Sequence, residues 1–296
     1  MFLVHEHVLG DIISDLGEGP SWDDKESVLY WVDITGKQIH RWLSFNNKVQ
    51  SLTTTQFVST VVPTNDGRLL CTLQNGFYLL KWEEQSWEHI GNPESRIGGN
   101  CFNDGKCDPQ GRFWGGSMDL NGFPRKGALY TVDRDKKIRT VLEGVSCSNG
   151  ITWSPDEKYM YFIDTPTRKV VAYDFSITKG TISNPRDIIY IPETQGFPDG
   201  MTSDEEGMIW IAHWGGYRVS RWNPYNGICL EVIHLPVEKV TSCEFGGNNN
   251  DELFITTARE GLTSVQHEKQ PLAGRLFRVK VGIKGCKTYR FENKKI

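Results

Sequence analysis

The chain of 296 residues is 38% hydrophobic and 24% charged, which is typical of a folded globular protein and excludes a disordered one. Its net charge is −4 and its Lys and Arg residues are scattered, so no nucleic-acid partner is expected. No run approaches the roughly 20 apolar residues of a membrane span. Seven cysteines without a CxxC pair argue against a disulfide framework, and a start without a signal-peptide pattern predicts a cytoplasmic protein.

One phrase recurs along the chain: a short strand, a turn rich in Asp, Asn, Pro or Gly, an apolar strand, a second turn and a third strand. The spacing of about 41 to 50 residues suits a four-stranded propeller blade. The six copies begin at Glu18, Ser59, Asn103, Asn149, Asp199 and Cys243. They predict an all-β, six-bladed β-propeller that spans residues 1–296 as a single domain.

The rival to this fold is a parallel α/β architecture, which needs helices that the sequence does not offer. The sixth copy ends near Lys280. We therefore expect either the first run, residues 2–9, or the tail, residues 288–296, to complete a shared blade and close the ring of sheets.

The innermost strand of each blade lines the central channel, so residues at one position of the repeat form a ring around it. Buried without partners, the carboxylates and amides of this ring would be costly, and a cation would satisfy them. Oxygen ligands favour Ca²⁺, Mg²⁺ or Mn²⁺, and Zn²⁺ also accepts carboxylates. The ring comprises Glu18, Ser59 or Thr60, Asn103, Asn149, Asp199 and Cys243.

A second interpretation explains each ring residue alone as a turn cap or as a ligand of channel water. Acidic or amide residues at one position in four of six copies are not needed for turns, so together they favour the cation.

The turns that follow the second strand of each copy are expected to border the same mouth of the channel, and Arg125 and His213 lie on two of them. His5 and His7, two residues apart, are interpreted as one face of a surface strand. The chain contains no GxSxG motif, and Cys101 has no histidine partner in its repeat, so a nucleophilic serine or cysteine has little support.

Five segments resemble the family of regucalcin and the gluconolactonases, which includes the luciferin-regenerating enzymes. The resemblance covers nearly the whole chain. It implies a six-bladed propeller with one divalent metal on Glu18, Asn149 and Asp199, and with Asn103 close to metal and substrate. The segments are LGEGPSW (16–22), FNDGKCDPQGRFWGGSM (102–118), SNGITWSPDEKYMYFID (148–164), PDGMTSDEEGMIWIA (198–212) and TSCEFGG (241–247).

The activity that this resemblance implies is hydrolysis of sugar lactones, with a small-molecule lactone as the partner. A divalent metal suits the reaction because it can polarise the lactone carbonyl and stabilise the developing oxyanion. By resemblance, Asp199 is the general base that takes a proton from water. A cation lowers the pKa of a carboxylate that binds it, which weakens the base, so metal-bound hydroxide is an alternative nucleophile.

The chain departs from animal regucalcin around the substrate. Cys101 stands where that pattern has an arginine that holds the substrate, and the short segment 117–127 offers no glutamate to match the one in the longer regucalcin lid. Asp119 and Arg125 of this segment, with Lys126, are the candidates to bind substrate hydroxyls instead. The set predicted to bind substrate is therefore Asn103, Cys101, Asp119, Arg125 and His213.

Two other functions fit the same sequence. A metal that activates water could also hydrolyse other esters, such as organophosphates. A metal in a propeller channel could instead be structural, in a calcium-binding or scaffold protein. Three or four protein ligands at an open mouth leave room for water and substrate, which favours an enzyme.

Overall fold

The computed structural model describes residues 8–294, which form 23 β-strands and one short α-helix. Four antiparallel sheets of four strands follow one another along the chain. The first contains β1 (Gly17–Asp23), β2 (Val28–Asp33), β3 (Gln38–Leu43) and β4 (Lys48–Thr53). The second contains β5 (Val58–Pro63), β6 (Leu69–Leu73), β7 (Gly76–Lys81) and β8 (Ser86–Gly91).

The third and fourth sheets repeat this order, and a fifth sheet has seven strands. The third contains β9 (Asn100–Cys107), β10 (Phe113–Asp119), β11 (Gly127–Val132) and β12 (Ile138–Val145). The fourth contains β13 (Ser148–Trp153), β14 (Tyr159–Asp164), β15 (Lys169–Ser176) and β16 (Thr181–Tyr190). The fifth contains β17 (Phe197–Ser203), β18 (Ile209–Trp214), β19 (Arg218–Trp222), β20 (Cys229–His234), β21 (Lys239–Gly246), β22 (Glu252–Ala258) and β23 (Phe277–Lys280).

The fifth sheet consists of two antiparallel units, β17 to β20 and β21 to β23. A single residue pair, Trp214 with Lys239, joins them. Helix α1 (Ser264–Lys269) lies between β22 and β23 and begins with a capping box, in which Thr263 and Gln266 satisfy each other's backbone N–H groups. No helix among residues 8–294 has the length and apolar character needed to cross a membrane.

Burial decreases from the inner to the outer strand of each sheet. Every residue of β2 is buried, because both faces of the strand pack against neighbouring sheets, whereas most of β4 is exposed and polar. Aromatic side chains fill the space between sheets, as where Trp22 stacks on Phe254 at 5.7 Å. The core is thus divided among the gaps between neighbouring sheets.

The six first strands lie side by side around a channel. Each contacts the next in chain order, from β1 through β5, β9, β13 and β17 to β21, and β21 contacts β1 again. The predicted all-β class with antiparallel four-stranded sheets is confirmed, and the count of six blades stays a prediction.

The two ends of the chain lie in different places. Val8 pairs with Phe277, and Leu9 N donates to Leu276 O at 2.8 Å, so these two residues lie beside β23. The tail pairs elsewhere, because Phe291 lies parallel to Thr64 at the end of β5. Of the two expectations for closure, the described part of the first run, Val8 and Leu9, is found next to the last strand. His5 and His7 lie outside the described residues.

Candidate metal and substrate site

The inner strands share an irregularity at the predicted ring. Pairing of β13 with β14 skips from Ser148 to Ile151, which leaves Asn149 and Gly150 unpaired, and the same shift occurs in β17 around Asp199. A β-bulge re-aims side chains and interrupts the hydrogen-bond ladder, and it is common beside functional sites. The ring residues are therefore parts of bulged strands rather than of turns.

Glycine follows Glu18, Asn149 and Asp199, and for the last two the inner strands approach each other closely at the bulge. A Cβ on Gly150 would lie 2.7 Å from the carbonyl oxygen of Asp199, and one on Gly200 would lie 2.0 Å from Ser242 Oγ. Only glycine fits such contacts. The Asn-Gly and Asp-Gly pairs thus serve to bring neighbouring strands, and the side chains they carry, together.

Two buried or partly buried carboxylates hold the chain just ahead of the ring. Asp33 accepts hydrogen bonds from the backbone N–H groups of residues 15 and 16 at 2.8 and 3.0 Å, two residues before Glu18. Asp164 does the same for residues 146 and 147, two residues before Asn149. Each ring residue therefore starts from a fixed backbone position.

Glu18, Asn149 and Asp199 are only 8%, 5% and 4% exposed. Asn149 Nδ2 donates to Thr165 Oγ1 at 3.0 Å, and Thr165 donates to Pro198 O at 2.9 Å, which orients the amide oxygen away from this chain of bonds. Asn149 Oδ1 and Asp199 Oδ1 are buried and have no hydrogen-bond donor among the described residues. Two orphaned oxygens in one place need a partner.

The electrostatics of the two carboxylates agree with this need. Burial, the neighbouring Asp199 and then Asp104 hold the pKa of Glu18 well above its ordinary value. Burial and then Asp104 do the same to the pKa of Asp199. Each group thus opposes ionisation of the other, and a cation between them would remove that opposition.

The donor set fits a hard divalent cation. Carboxylate and amide oxygens are the ligands that Ca²⁺ and Mg²⁺ prefer, and two of those present are unpaired. Within residues 8–294 no group of three or more His, Cys, Asp or Glu side chains is arranged to hold a metal. The set Glu18, Asn149 and Asp199 has only two carboxylates, and its third member is an amide.

The channel continues beneath this set. Asp104 follows Asn103 at the bulge of β9 and accepts a hydrogen bond from Gly105 N at 2.7 Å. Further along, Lys106 Nζ lies 2.9 Å from Glu244 Oε2, and Thr202 donates to the same carboxylate. These residues line a cavity of about 330 Å³ that the tail residues 285–289 also border.

At the mouth, Asn103 lies among neighbours that the repeat did not predict. Its Nδ2 donates to Ser148 O at 2.9 Å and contacts Cys147 Sγ at 3.9 Å. Cys147 in turn lies 3.6 Å from Met118 Sδ. Cys101 is buried, and desolvation, then Glu94 and Asp119, raise its pKa to about 12, so its thiol stays protonated at neutral pH.

The two candidates from segment 117–127 differ in their surroundings. The Asp119 carboxylate accepts the backbone N–H groups of Asn121 and Phe123 at 2.8 and 3.3 Å and so shapes its own loop. Arg125 is exposed, and its guanidinium borders Gly144 at the edge of β12. Their roles in substrate binding stay predictions.

His213 is fully buried, and both of its ring nitrogens have partners. Nδ1 lies 2.8 Å from Gln195 O, and Nε2 lies 2.5 Å from Ser220 Oγ. Burial, the first cause, lowers the pKa of His213 to about 4, so the ring is neutral. These contacts hold the loop before β17, and a direct role with substrate stays a prediction.

In the sixth copy of the repeat, the ring position lies at Thr241, two residues before the predicted Cys243. The bulge of β21 leaves Thr241 unpaired, and Thr241 donates to Gly17 O at 2.6 Å on the neighbouring inner strand. Cys243 instead packs in an apolar cluster with Trp210. The prediction that Cys243 joins the ring is therefore wrong, because the bulge shifts the register that the repeat start assumed.

Four residues near the site were not among the predictions: Asp104, Met118, Cys147 and Thr165. Asp104 directly follows Asn103, the residue that the repeat predicts for the ring. Cys147 had a usable signal, because it precedes Asn149 by two residues as Cys101 precedes Asn103. Met118 and Thr165 approach the site through cross-strand pairing, which the repeat does not show.

The fold and this cluster define an all-β protein in which buried carboxylate and amide oxygens gather where the inner strands meet. Residues 16–259 match the model of the family described as "SMP-30/Gluconolactonase/LRE-like region". The chain belongs to this family. The resemblance inferred from the sequence motifs is confirmed.

Relatives match along nearly the whole chain. YvrE of Bacillus subtilis, whose name assigns it provisionally to the sugar lactone lactonases, is 36% identical, with 93% of this chain and 94% of that protein covered. Regucalcin of Gallus gallus is 38% identical with the same coverage of 93% and 94%. A crystal structure of regucalcin from Agrobacterium tumefaciens, described as a calcium-binding protein, is 26% identical, with 96% of each chain covered and a TM-score of 0.92.

Proposed function

We propose that this protein is a metal-dependent hydrolase that opens sugar lactones, aldonolactones in particular. The single observation that carries the proposal is the pair of buried, unpartnered oxygens on Asn149 and Asp199 beside Glu18. The family to which the chain belongs includes gluconolactonases in its description, and one relative is named as a lactonase. An orphaned polar pair that is costly to the fold is expected where function requires it.

Glu18, Asn149 and Asp199 would hold one divalent metal, with Ca²⁺, Zn²⁺, Mn²⁺ and Mg²⁺ as the candidates. When bound, such a metal would supply Lewis-acid polarisation of the lactone carbonyl.

Asp199 is the residue assigned to proton transfer. Its carboxylate would accept the proton of an attacking water through the oxygen that does not hold the metal. Thr165 fixes the Asn149 amide beside Asp199. Asn103, on the adjoining strand, would offer its amide oxygen to the substrate, because its Nδ2 donates to Ser148 O.

The enclosing architecture is proposed to be one six-bladed propeller domain over residues 1–296. Six antiparallel units whose first strands contact one another in sequence, with Val8 beside Phe277, support this count. We also place the protein in the cytoplasm, since none of its described cysteines forms a disulfide and burial raises the pKa of most of the thiols.

The test is lactone hydrolysis, followed by acid release and corrected for spontaneous opening, with protein stripped of metal and resupplied with each candidate ion. A panel of aldonolactones, simple lactones and organophosphate esters separates the substrate classes. We expect turnover on lactones only with metal, and loss of turnover in Asp199→Asn. Asp156→Asn, at an exposed carboxylate on a turn, is the matched control and should keep full activity.

Two results would overturn parts of the proposal. Full activity in Asp199→Asn removes the assignment of the base. No turnover of any lactone with any metal removes the hydrolase, and tight Ca²⁺ binding measured calorimetrically in that case would favour a calcium-binding protein, as the regucalcin structure is described.

A further inference from the structure

Three sulfur-bearing side chains lie in a row at the mouth, outside the set of oxygen ligands. Met118 on β10 pairs with Cys101 on β9, and on its other side it pairs with Cys147 just before β13. Residues paired across neighbouring antiparallel strands present their side chains to the same face of the sheet. Cys101, Met118 and Cys147 therefore form one cluster, which we name the sulfur row.

A short distance between sulfur atoms supports this cluster. Cys147 Sγ lies 3.6 Å from Met118 Sδ. Cys101 lies opposite Met118 in the β9–β10 ladder, so Met118 stands between the two cysteines. Both cysteines precede an asparagine of the ring by two residues, so the repeat places them at equivalent points of two adjacent sheets.

Carboxylates lie beside the sulfur row. Asp164 accepts the backbone N–H of Cys147 at 2.8 Å, and Asp119 pairs with Asn100, the neighbour of Cys101. Negative surroundings oppose an isolated thiolate, yet they attract a cation that would neutralise two thiolates at once. Thiolate and thioether sulfur select soft metal ions, of which Cu⁺ is the typical partner of Cys and Met together.

We propose that Cys101, Met118 and Cys147 bind a thiophilic d¹⁰ cation, of the class of Cu⁺ or Cd²⁺, at the mouth beside the oxygen-ligand site. On binding, each cysteine thiol releases its proton to solvent as its sulfur–metal bond forms, and Met118 adds a neutral thioether. No change of oxidation state is involved. The site uses none of the proposed oxygen ligands Glu18, Asn149 and Asp199.

One contact would link the sulfur row to Asn103. Asn103 Nδ2 donates to Cys147 Sγ at 3.9 Å. A cation that engages Cys147 competes for the same sulfur, so occupancy would release or shift Asn103. Soft metals would then act on this chain at the position of Cys101. The animal regucalcin pattern has an arginine at this position, and an arginine does not bind such metals.

The test is titration of the whole protein with Cd²⁺ as an air-stable probe, in buffer with excess Ca²⁺ so that carboxylate sites are competed. Thiolate-to-cadmium charge transfer gives an ultraviolet absorption band that carboxylate and amide ligands do not give. We expect the band to saturate at one Cd²⁺ per chain. It should be lost in the double variant Cys101→Ser/Cys147→Ser and kept, with weaker binding, in Met118→Leu.

Cys229→Ser is the matched control, because Cys229 is an exposed thiol on the outer strand β20. It should leave the band and its stoichiometry unchanged. A wild-type protein without the band, or a folded double variant that keeps it, overturns the proposal. Far-ultraviolet circular dichroism establishes that each variant is folded, and lactone turnover under Ca²⁺ is scored separately, so the two proposals fail independently.

Discussion

Two aspartates five residues apart on β17 and the turn after it show how the same side chain serves two purposes. Asp204 is fully buried, and its carboxylate accepts two backbone N–H groups, the Trp210 indole and the Arg221 guanidinium, at 2.8 to 3.0 Å. Asp199 is as deeply buried but leaves Oδ1 without a donor. A buried charge with all its hydrogen bonds supports the fold, whereas a buried charge without them costs free energy unless a ligand pairs with it.

The same satisfied arrangement recurs in the third sheet. Asp108 accepts from two backbone N–H groups, from Arg112 and from the Trp114 indole. Neither Asp108 nor Asp204 has a counterpart of the unpaired oxygens at the mouth. Full pairing thus separates structural carboxylates from candidate ligands in this molecule better than burial does.

The largest effect on stability is expected from substituting Asp204, the aspartate whose hydrogen bonds are all made. Asp204→Ala leaves the buried Arg221 guanidinium without its main partner, which should lower the free energy of unfolding by about 3–5 kcal/mol. Urea denaturation measures it, with Asp156→Ala as the control at an exposed carboxylate. A loss below about 1 kcal/mol would place Asp204 with weak surface pairs and undo the contrast.

Substituting Asp199, which has an unpaired oxygen, should lower activity and not stability. Asp199→Asn is expected to lower lactone turnover about 100-fold or more, because the proposed general base is removed. It should also raise the melting temperature of the metal-free protein, since a disfavoured buried charge disappears. A melting temperature below that of the metal-free wild type would show that the Asp199 carboxylate is stabilising after all.

His213 tests whether a fully paired side chain near the mouth is structural. His213→Asn loses at least one of the contacts to Gln195 and Ser220, and we expect the free energy of unfolding to fall by about 1–3 kcal/mol. The KM for lactone should stay unchanged. A raised KM with unchanged stability would instead support the predicted role of His213 in substrate binding.

Acid adds a second readout for the same residue. The folded pKa of His213 is about 4, below the ordinary value of 6.5, so its stabilising contribution is present at neutral pH and is lost as pH falls through this window. The wild-type protein should therefore lose more stability than His213→Asn between pH 6.5 and 4.

The smallest effect concerns pH in the metal-free protein. Glu18 and Asp199 have raised pKa values when folded, so they favour the folded state below their ordinary pKa of about 4. That contribution is lost as pH rises through the folded pKa. Unfolding free energy should decline with rising pH more in wild type than in Glu18→Gln/Asp199→Asn. Equal pH profiles would contradict the coupling between these carboxylates.

Much of the fold was predictable because the repeat depends on short-range patterns. Alternating apolar residues and Asp-Gly or Pro-Asp turns mark each sheet without knowledge of its neighbours. The same pattern assigned Glu18, Asn149 and Asp199 to one position of the repeat, and these residues lie close together in the structure.

What the sequence could not supply depends on pairing between strands. The extra residue in a β-bulge has no signature in composition, so Cys243 was placed where Thr241 lies. Met118 reaches Cys147 only through a bridge between sheets. The contact of His213 Nε2 with Ser220 Oγ likewise depends on the pairing of β18 with β19, which no spacing rule predicts.

The meeting of Val8 with Phe277 has a consequence for biosynthesis. Val8 leaves the ribosome long before its partner strand β23. Until β23 follows, the growing chain is a row of sheets with uncovered edges, the state in which β-proteins associate wrongly. Residues 291–294 come after β23 and reach Pro63, Gly111 and Arg134 on earlier sheets. A nascent chain stalled before residue 277 should therefore need a chaperone that the finished protein does not.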